Sequence, residues 1–226
     1  MIVKTEGLKK VFSSDHVEHP ALRGVDVQIN EGEFVVVAGP SGSGKTTLLN
    51  MIGTLDSPTE GKVFFKDRDV GAMSVGERTE LRLHKIGFVF QAYNLINVLT
   101  AAENVEYVLL LQGLAGEQRR QRAHELLEAV GLEGLENRRP EQLSGGEQQR
   151  VAVARSLASE PELVLADEPT ANLDQATGKE LIELMLELNR ERGITFVISS
   201  HDRMVIEHAR RLLRLLDGRI VADEKP

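Results

Sequence analysis

The 226 residues contain no cysteine and no tryptophan, and only 4% are aromatic. Without thiols, disulfides, cysteine zinc sites, iron–sulfur clusters and thiol catalysis are excluded, and the composition fits a reducing compartment. Basic excess is also absent: 35 acidic residues stand against 27 Lys and Arg, a formal charge of −8, and no segment forms a basic arm. Binding driven by neutralising nucleic-acid phosphates is therefore disfavoured, and no nucleic-acid partner is expected. The opening residues, Met1-Ile2-Val3-Lys4-Thr5-Glu6, lack the apolar core of a signal peptide. No apolar run approaches the roughly 20 residues needed to span a bilayer. The chain is expected to remain in the cytoplasm.

What is present is the balance of a folded domain, 41% hydrophobic and 27% charged. A chain of this length buries roughly 70% of the surface its unfolded form exposes and needs no staple. Uninterrupted apolar runs recur at 34–38, 86–90, 163–166 and 194–198, which predicts strands covered on both faces and hence a mostly parallel sheet. Around Val25, Val27 and Ile29 the pattern alternates instead, and Asp217-Gly218 between two apolar stretches signals a hairpin. An antiparallel layer beside the parallel core follows. Leu181, Ile182, Met185 and Leu188 recur at helical spacing, with Gly193 as a stop, and Leu126, Leu127 and Val130 mark another helix that Gly131 ends. Residues 92–157 read as mainly helical. With no linker, low-complexity stretch or repeat, the whole of 1–226 reads as one unit with a helical insertion.

Directly after the 34–38 run comes Gly39-Pro40-Ser41-Gly42-Ser43-Gly44-Lys45-Thr46, a phosphate-binding loop pattern between a strand and a helix. The glycines let backbone N–H groups point inward at phosphate oxygens. A helix beginning near Lys45 adds the positive end of its dipole, and the Lys45 ammonium reaches the β- and γ-phosphates. Thr46 is placed to ligate Mg²⁺. The run 163–166 then delivers Asp167 and Glu168 at the carboxyl end of a strand, where open α/β sheets bind ligands. Alternation along an extended strand turns these two side chains in opposite directions. Asp167 is thereby expected in the Mg²⁺ shell and Glu168 at a water attacking the γ-phosphate.

The octet Leu143-Ser144-Gly145-Gly146-Glu147-Gln148-Gln149-Arg150 is a small-residue turn opening onto a helix, with a serine hydroxyl and glycine N–H groups for a second anion. Together with the loop and the paired acids it resembles the signature motif of the nucleotide-binding subunits of ATP-binding-cassette (ABC) transporters. The resemblance extends from Gly7 to about Ile220. It implies an α/β fold, a P-loop NTPase of ABC type with a mostly parallel core sheet, an antiparallel β layer and a helical subdomain at about 92–157. It implies ATP and Mg²⁺ as cofactors, with Thr47 continuing the phosphate loop. Gln91 corresponds to a glutamine that contacts Mg²⁺ and water and relays nucleotide state to the membrane partner. Ala171-Asn172-Leu173-Asp174 resembles the D-loop, which puts Asp174 near a partner subunit; Asp174 also suits the N-cap of a helix over 175–189. His201, after Ile198-Ser199-Ser200, resembles the switch histidine at the γ-phosphate. Phe12 falls where the family carries an aromatic that stacks on adenine, with 13–20 as a loop beside it. His16, His19, His84, His124 and His208 have no comparable setting and read as surface or packing residues.

Residues 52–61, 86–96 and 99–105 look like the lipoprotein-release and macrolide-exporter ATPases, although Asn97 stands where relatives often have proline. The resemblance implies an ATPase that drives integral membrane permease subunits from the cytoplasmic face of the inner membrane, in export or release. It also implies a homodimer in which each ATP lies between one chain's 39–47 loop and Ser144, Gly145, Gly146 and Glu147 of the other. A mechanotransmission ATPase of the cell envelope and a soluble cassette ATPase of DNA repair or translation are the alternatives.

Overall fold

The computed structural model describes residues 1–14 and 17–225. In chain order, β1 (Val3–Ser14) and β2 (Val17–Ile29) form an antiparallel ribbon, and β3 (Phe34–Ala38) leads through the 39–44 loop into α1 (Lys45–Ile52). Then come β4 (Glu60–Phe65), β5 (Arg68–Asp69), α2 (Val75–Lys85) and β6 (Ile86–Val89). Three helices follow, α3 (Ala101–Leu111), α4 (Gly116–Ala129) and α5 (Gly145–Leu157). The chain closes with β7 (Leu163–Asp167), α6 (Gln175–Arg192), β8 (Thr195–Ser200), α7 (Arg203–Glu207), β9 (Arg211–Leu216) and β10 (Arg219–Glu224).

Two sheets result. The smaller is antiparallel, ordered β2-β1-β4-β5, and the larger is ordered β10-β9-β3-β8-β7-β6. Every pair of the larger sheet is parallel except the β9–β10 hairpin. Its turn residues Asp217 (φ 46°) and Gly218 (φ 72°) both adopt the left-handed geometry that a two-residue hairpin turn requires. Alternate residues of β3 enter different cores: Phe34 and Val36 join the side chains of α3 to α6, while Val35 and Val37 join α1 and the antiparallel sheet. Leu163 and Leu165 face one core and Val164 and Ala166 the other, so these strands have no polar face to show.

Helix starts follow from local chemistry. Ser74 with Glu77, Thr100 with Glu103 and Ser144 with Glu147 each form a reciprocal cap in which hydroxyl and carboxylate satisfy two backbone N–H groups. At the far end of the sheet, Arg211 ties three strands together. Its guanidinium donates to Glu33 and Gln28 beside β3 and β2 and to both carboxylate oxygens of Asp223 on β10. Burial alone would raise the Glu33 carboxyl; hydrogen bonds from Asn30 and Arg211 outweigh it and hold the group below the ordinary range.

Two readings of local structure are corrected. Residues 13–14 and 17–20 are not loop but continue the β1–β2 ribbon, with Ser13 opposite Glu18. The apolar stretch 86–90 yields a strand only to Val89, because Phe90 already turns toward the bend at Tyr93 and Asn94, both with positive φ.

Candidate active site

The phosphate-type loop leaves β3 at the carboxyl edge of the parallel sheet. Gly44 adopts φ +103°, and a Cβ there would press on the Ala21 carbonyl oxygen; one on Gly39 would collide with the Leu215 carbonyl oxygen. Neither position tolerates a side chain, so the loop's curvature depends on them. Lys45 is 6% exposed and arcs back over the loop, its Nζ donating to the carbonyls of Gly39 (2.9 Å) and Pro40 (3.1 Å). The buried Ser43 hydroxyl has no partner.

Opposite the loop, β7 and β8 position the acids. Asp167 accepts from Ser199 Oγ at 2.5 Å and from Thr46 Oγ1 at 3.1 Å. A hydroxyl beside a carboxylate is the hard oxygen pair that suits Mg²⁺. Glu168 Oε1 lies 3.0 Å from His201 Nδ1 and 3.3 Å from Lys45 Nζ. The two acids do point to different posts, but strand alternation is not the reason. Glu168 has φ +45°, a left-handed backbone rare for a non-glycine residue. Its N–H donates to both the carbonyl and the hydroxyl of Ser199, at 3.1 Å each, which pins this conformation.

A cavity of about 330 Å³ lies among these groups. Ser41, Gly42, Gly44, Lys45, Thr46 and Thr47 form one wall, with Gln91, Glu168 and His201 facing them. Ala21 and Ala171 also line it. Ala171 opens the D-loop-like stretch, whereas no sequence signal marks Ala21, which contributes shape and backbone rather than a functional group. Ser199 is the other addition: it is fully buried on β8, where the apolar run gives way to two serines, and that polarity is the trace it leaves in the sequence.

The remaining candidates lie elsewhere. Residues 144–147 do not line this cavity; the Ser144 hydroxyl accepts from Glu147 N–H at 3.3 Å, capping α5. Gly145 and Gly146 let that cap approach the Tyr93 hydroxyl and the Thr177 methyl, which a Cβ would strike. Asp174 caps α6 through the N–H groups of Ala176 and Thr177, and these bonds with the Thr177 hydroxyl hold its carboxyl below the usual range. Phe12 is 45% exposed on β1, with Lys10 Nζ 5.0 Å from its ring centre. Among the other histidines, His84 pairs with Glu80, His124 with Glu136, and the His208 ring contacts the Met204 carbonyl; His19 is exposed, and His16 lies outside the described residues.

This geometry has known counterparts. Residues 22–171 match the family described as ABC transporter. The chain is 46% identical to the lipoprotein-releasing system ATP-binding protein LolD 1 of Rhodopseudomonas palustris, over 97% of this chain and 98% of that one. It is 41% identical to the macrolide export ATP-binding/permease protein MacB of Wolinella succinogenes, over its full length but only 35% of that protein. A solved dimeric, post-hydrolysis ATP-binding cassette from Methanocaldococcus jannaschii, bound to ADP and Pi, superposes with a TM-score of 0.92 at 46% identity, covering 99% of this chain and 98% of that one. A phosphate loop, an acid pair at the next strand end and this likeness along nearly the whole chain agree: the protein belongs to the ABC transporter family as an ATP-binding, ATP-hydrolysing subunit.

Proposed function

We propose that this subunit hydrolyses ATP at the cavity bounded by Lys45, Thr46, Gln91, Glu168 and His201, and that two copies close around the nucleotide to drive a membrane permease. The observation that carries the reading is the convergence of Lys45, Glu168 and His201 within hydrogen-bond or ion-pair reach beside the glycine loop. Gly39, Pro40, Ser41, Gly42, Ser43, Gly44, Lys45, Thr46 and Thr47 bind the phosphates, chiefly through backbone N–H groups and the Lys45 ammonium. Thr46, Asp167 and Gln91 would hold Mg²⁺, which when bound would supply positive charge against the phosphate oxygens.

Catalysis is mainly positioning and charge neutralisation. Glu168 orients a water and takes its proton as the water oxygen bonds to the γ-phosphorus; the bond to the bridging oxygen breaks, and ADP and phosphate result. Lys45 and His201 hold the γ-phosphoryl oxygens. Phe12, exposed on the ribbon, stacks on adenine.

Residues 144–147 and Asp174 stand outside the cavity because they serve the partner's nucleotide. ATP held from both sides joins two chains, and hydrolysis removes part of the join. The solved relative bound to ADP and Pi is dimeric, which supports this arrangement.

The permease contact lies on the helical side. A mainly apolar cavity of about 390 Å³ between α2, β6, α3 and α5 is lined by Leu83, Phe88, Phe90, Val108 and Leu111. In the MacB relative, a segment like this chain is about a third of a protein named for both ATP binding and permease. No helix among the described residues is long and apolar enough to cross a membrane. The chain's likeness to the lipoprotein-releasing and macrolide-export ATP-binding proteins supports work at the cytoplasmic face of the inner membrane on permease subunits, in export or release. The test is Glu168→Gln: hydrolysis should fall about 10²- to 10⁴-fold with ATP still bound, and hydrolysis at the original rate would overturn the assignment.

A further inference from the structure

Gln149 lies on α5 and is 0% exposed. Its Nε2 donates to the Pro169 carbonyl at 2.8 Å and faces the Phe90 carbonyl at 3.4 Å. Pro169 directly follows Glu168, and Phe90 directly precedes Gln91. One buried amide thus joins the helix that starts at Ser144 to the backbones carrying both cavity residues. Its Oε1 has no partner, so local hydrogen-bond satisfaction does not account for an amide at this position.

The same segment is held by two more side chains. Asn172 Nδ2 donates to the Gln91 carbonyl at 2.8 Å, and Arg155, also on α5, donates to the carbonyls of Tyr93 and Asn94. Glu168 needs restraint from both sides, because its left-handed backbone persists only where the surroundings over-determine it. Ser199 supplies the restraint at its N–H. At the following peptide Pro169 has no N–H to donate, which leaves its carbonyl, the one that Gln149 holds.

We infer that Gln149 is a positioning residue for hydrolysis: its amide N–H groups register the Glu168 and Gln91 backbones against α5, so that the carboxylate meets the water only when α5 is seated. This rests on the reading of Glu168 as the water-activating group, which Glu168→Gln tests independently. Gln149 touches neither phosphate nor water and acts through the two backbones.

The experiment compares Gln149→Met, which keeps the length and removes the donor, with Gln149→Glu, which donates only when protonated. ATP hydrolysis is followed from pH 5.5 to 8.5 relative to the unmodified protein, with ATP affinity and melting temperature measured alongside. Displacing a catalytic group slightly costs about 10- to 100-fold. The Met variant should lose that much in kcat with KM within about twofold, and the Glu variant should exceed the Met variant at the acid end. A Met variant within about twofold of the original kcat, a matching loss of ATP affinity, or two variants equally impaired at every pH would each overturn the inference. Should the Met variant fail to fold, the Glu variant decides: activity that rises on acidification relative to the original supports the role, and a flat ratio refutes it.

Discussion

The Lys45 ammonium lies 3.3 Å from the Glu168 carboxylate while also donating to the carbonyls of Gly39 and Pro40. The Lys45 side chain is buried and the Glu168 side chain partly so, and the lysine is held inside the loop. A γ-phosphate entering the cavity competes for this ammonium. On the proposed reading, nucleotide binding would exchange Lys45 from protein oxygens to phosphate oxygens and free Glu168 to face a water.

Lys45→Ala removes the ammonium and leaves the loop glycines in place. ATP affinity should fall at least about tenfold, as loss of a charge-assisted contact implies. A calorimetric titration reads this directly; unchanged affinity would contradict the placement of the phosphates.

Thr46 and Asp167, 3.1 Å apart, make the oxygen pair assigned to Mg²⁺. Chelation should abolish hydrolysis and Mg²⁺ should restore it. Asp167→Asn should raise the Mg²⁺ concentration for half-maximal activity by about tenfold or more. An unaltered Mg²⁺ titration in that variant would remove Asp167 from the cation's shell.

Phe12 carries an exposed ring on β1. Stacking of a base on such a ring is worth about 1–3 kcal/mol and is tolerant of base identity. Phe12→Ala should therefore weaken ATP and GTP binding alike, by roughly fivefold or more, with kcat little changed. Equal affinity before and after substitution would place adenine elsewhere.

Arg211 is a matter of stability. Its hydrogen bonds hold the Asp223 carboxyl below the usual range against the opposing effect of burial, and Glu33 is lowered as well. Arg211→Met should cost roughly 2 kcal/mol once the partial exposure of Asp223 is discounted, or about 4–8 °C in melting temperature. For depressed carboxyls the contribution is present above their unfolded pKa values and is lost as pH falls through the folded ones. The difference between original and variant should thus be full near pH 7 and shrink below about pH 4. A gap that grows on acidification would contradict the clamp.

Much of this was legible in the residues, for physical reasons. Strand β3 shows as an unbroken apolar run because Phe34 and Val35 enter opposite cores, and the β9–β10 turn shows because Asp217 and Gly218 are residues that accept positive φ. The glycine loop shows because a Cβ at Gly39 or Gly44 would strike backbone. Other features leave little trace. The left-handed Glu168 backbone is held at its N–H by Ser199, 31 residues away, a partner that no local pattern reveals. The extension of β1 and β2 over 13–14 and 17–20 is hidden because Glu18, His19 and Pro20 are exposed and have no buried face to give a period. Gln149 sits in a polar run and looks like a solvated helix face until the fold encloses it.

The central claim is that ATP joins two copies of this chain, and the most direct measurement is the mass of the Glu168→Gln protein in solution by light scattering. With ATP and Mg²⁺ it should have twice the mass of the 25.0 kDa chain, and with ADP it should return to one. A single-chain mass with ATP, in a preparation shown by titration to hold the nucleotide, would contradict the account.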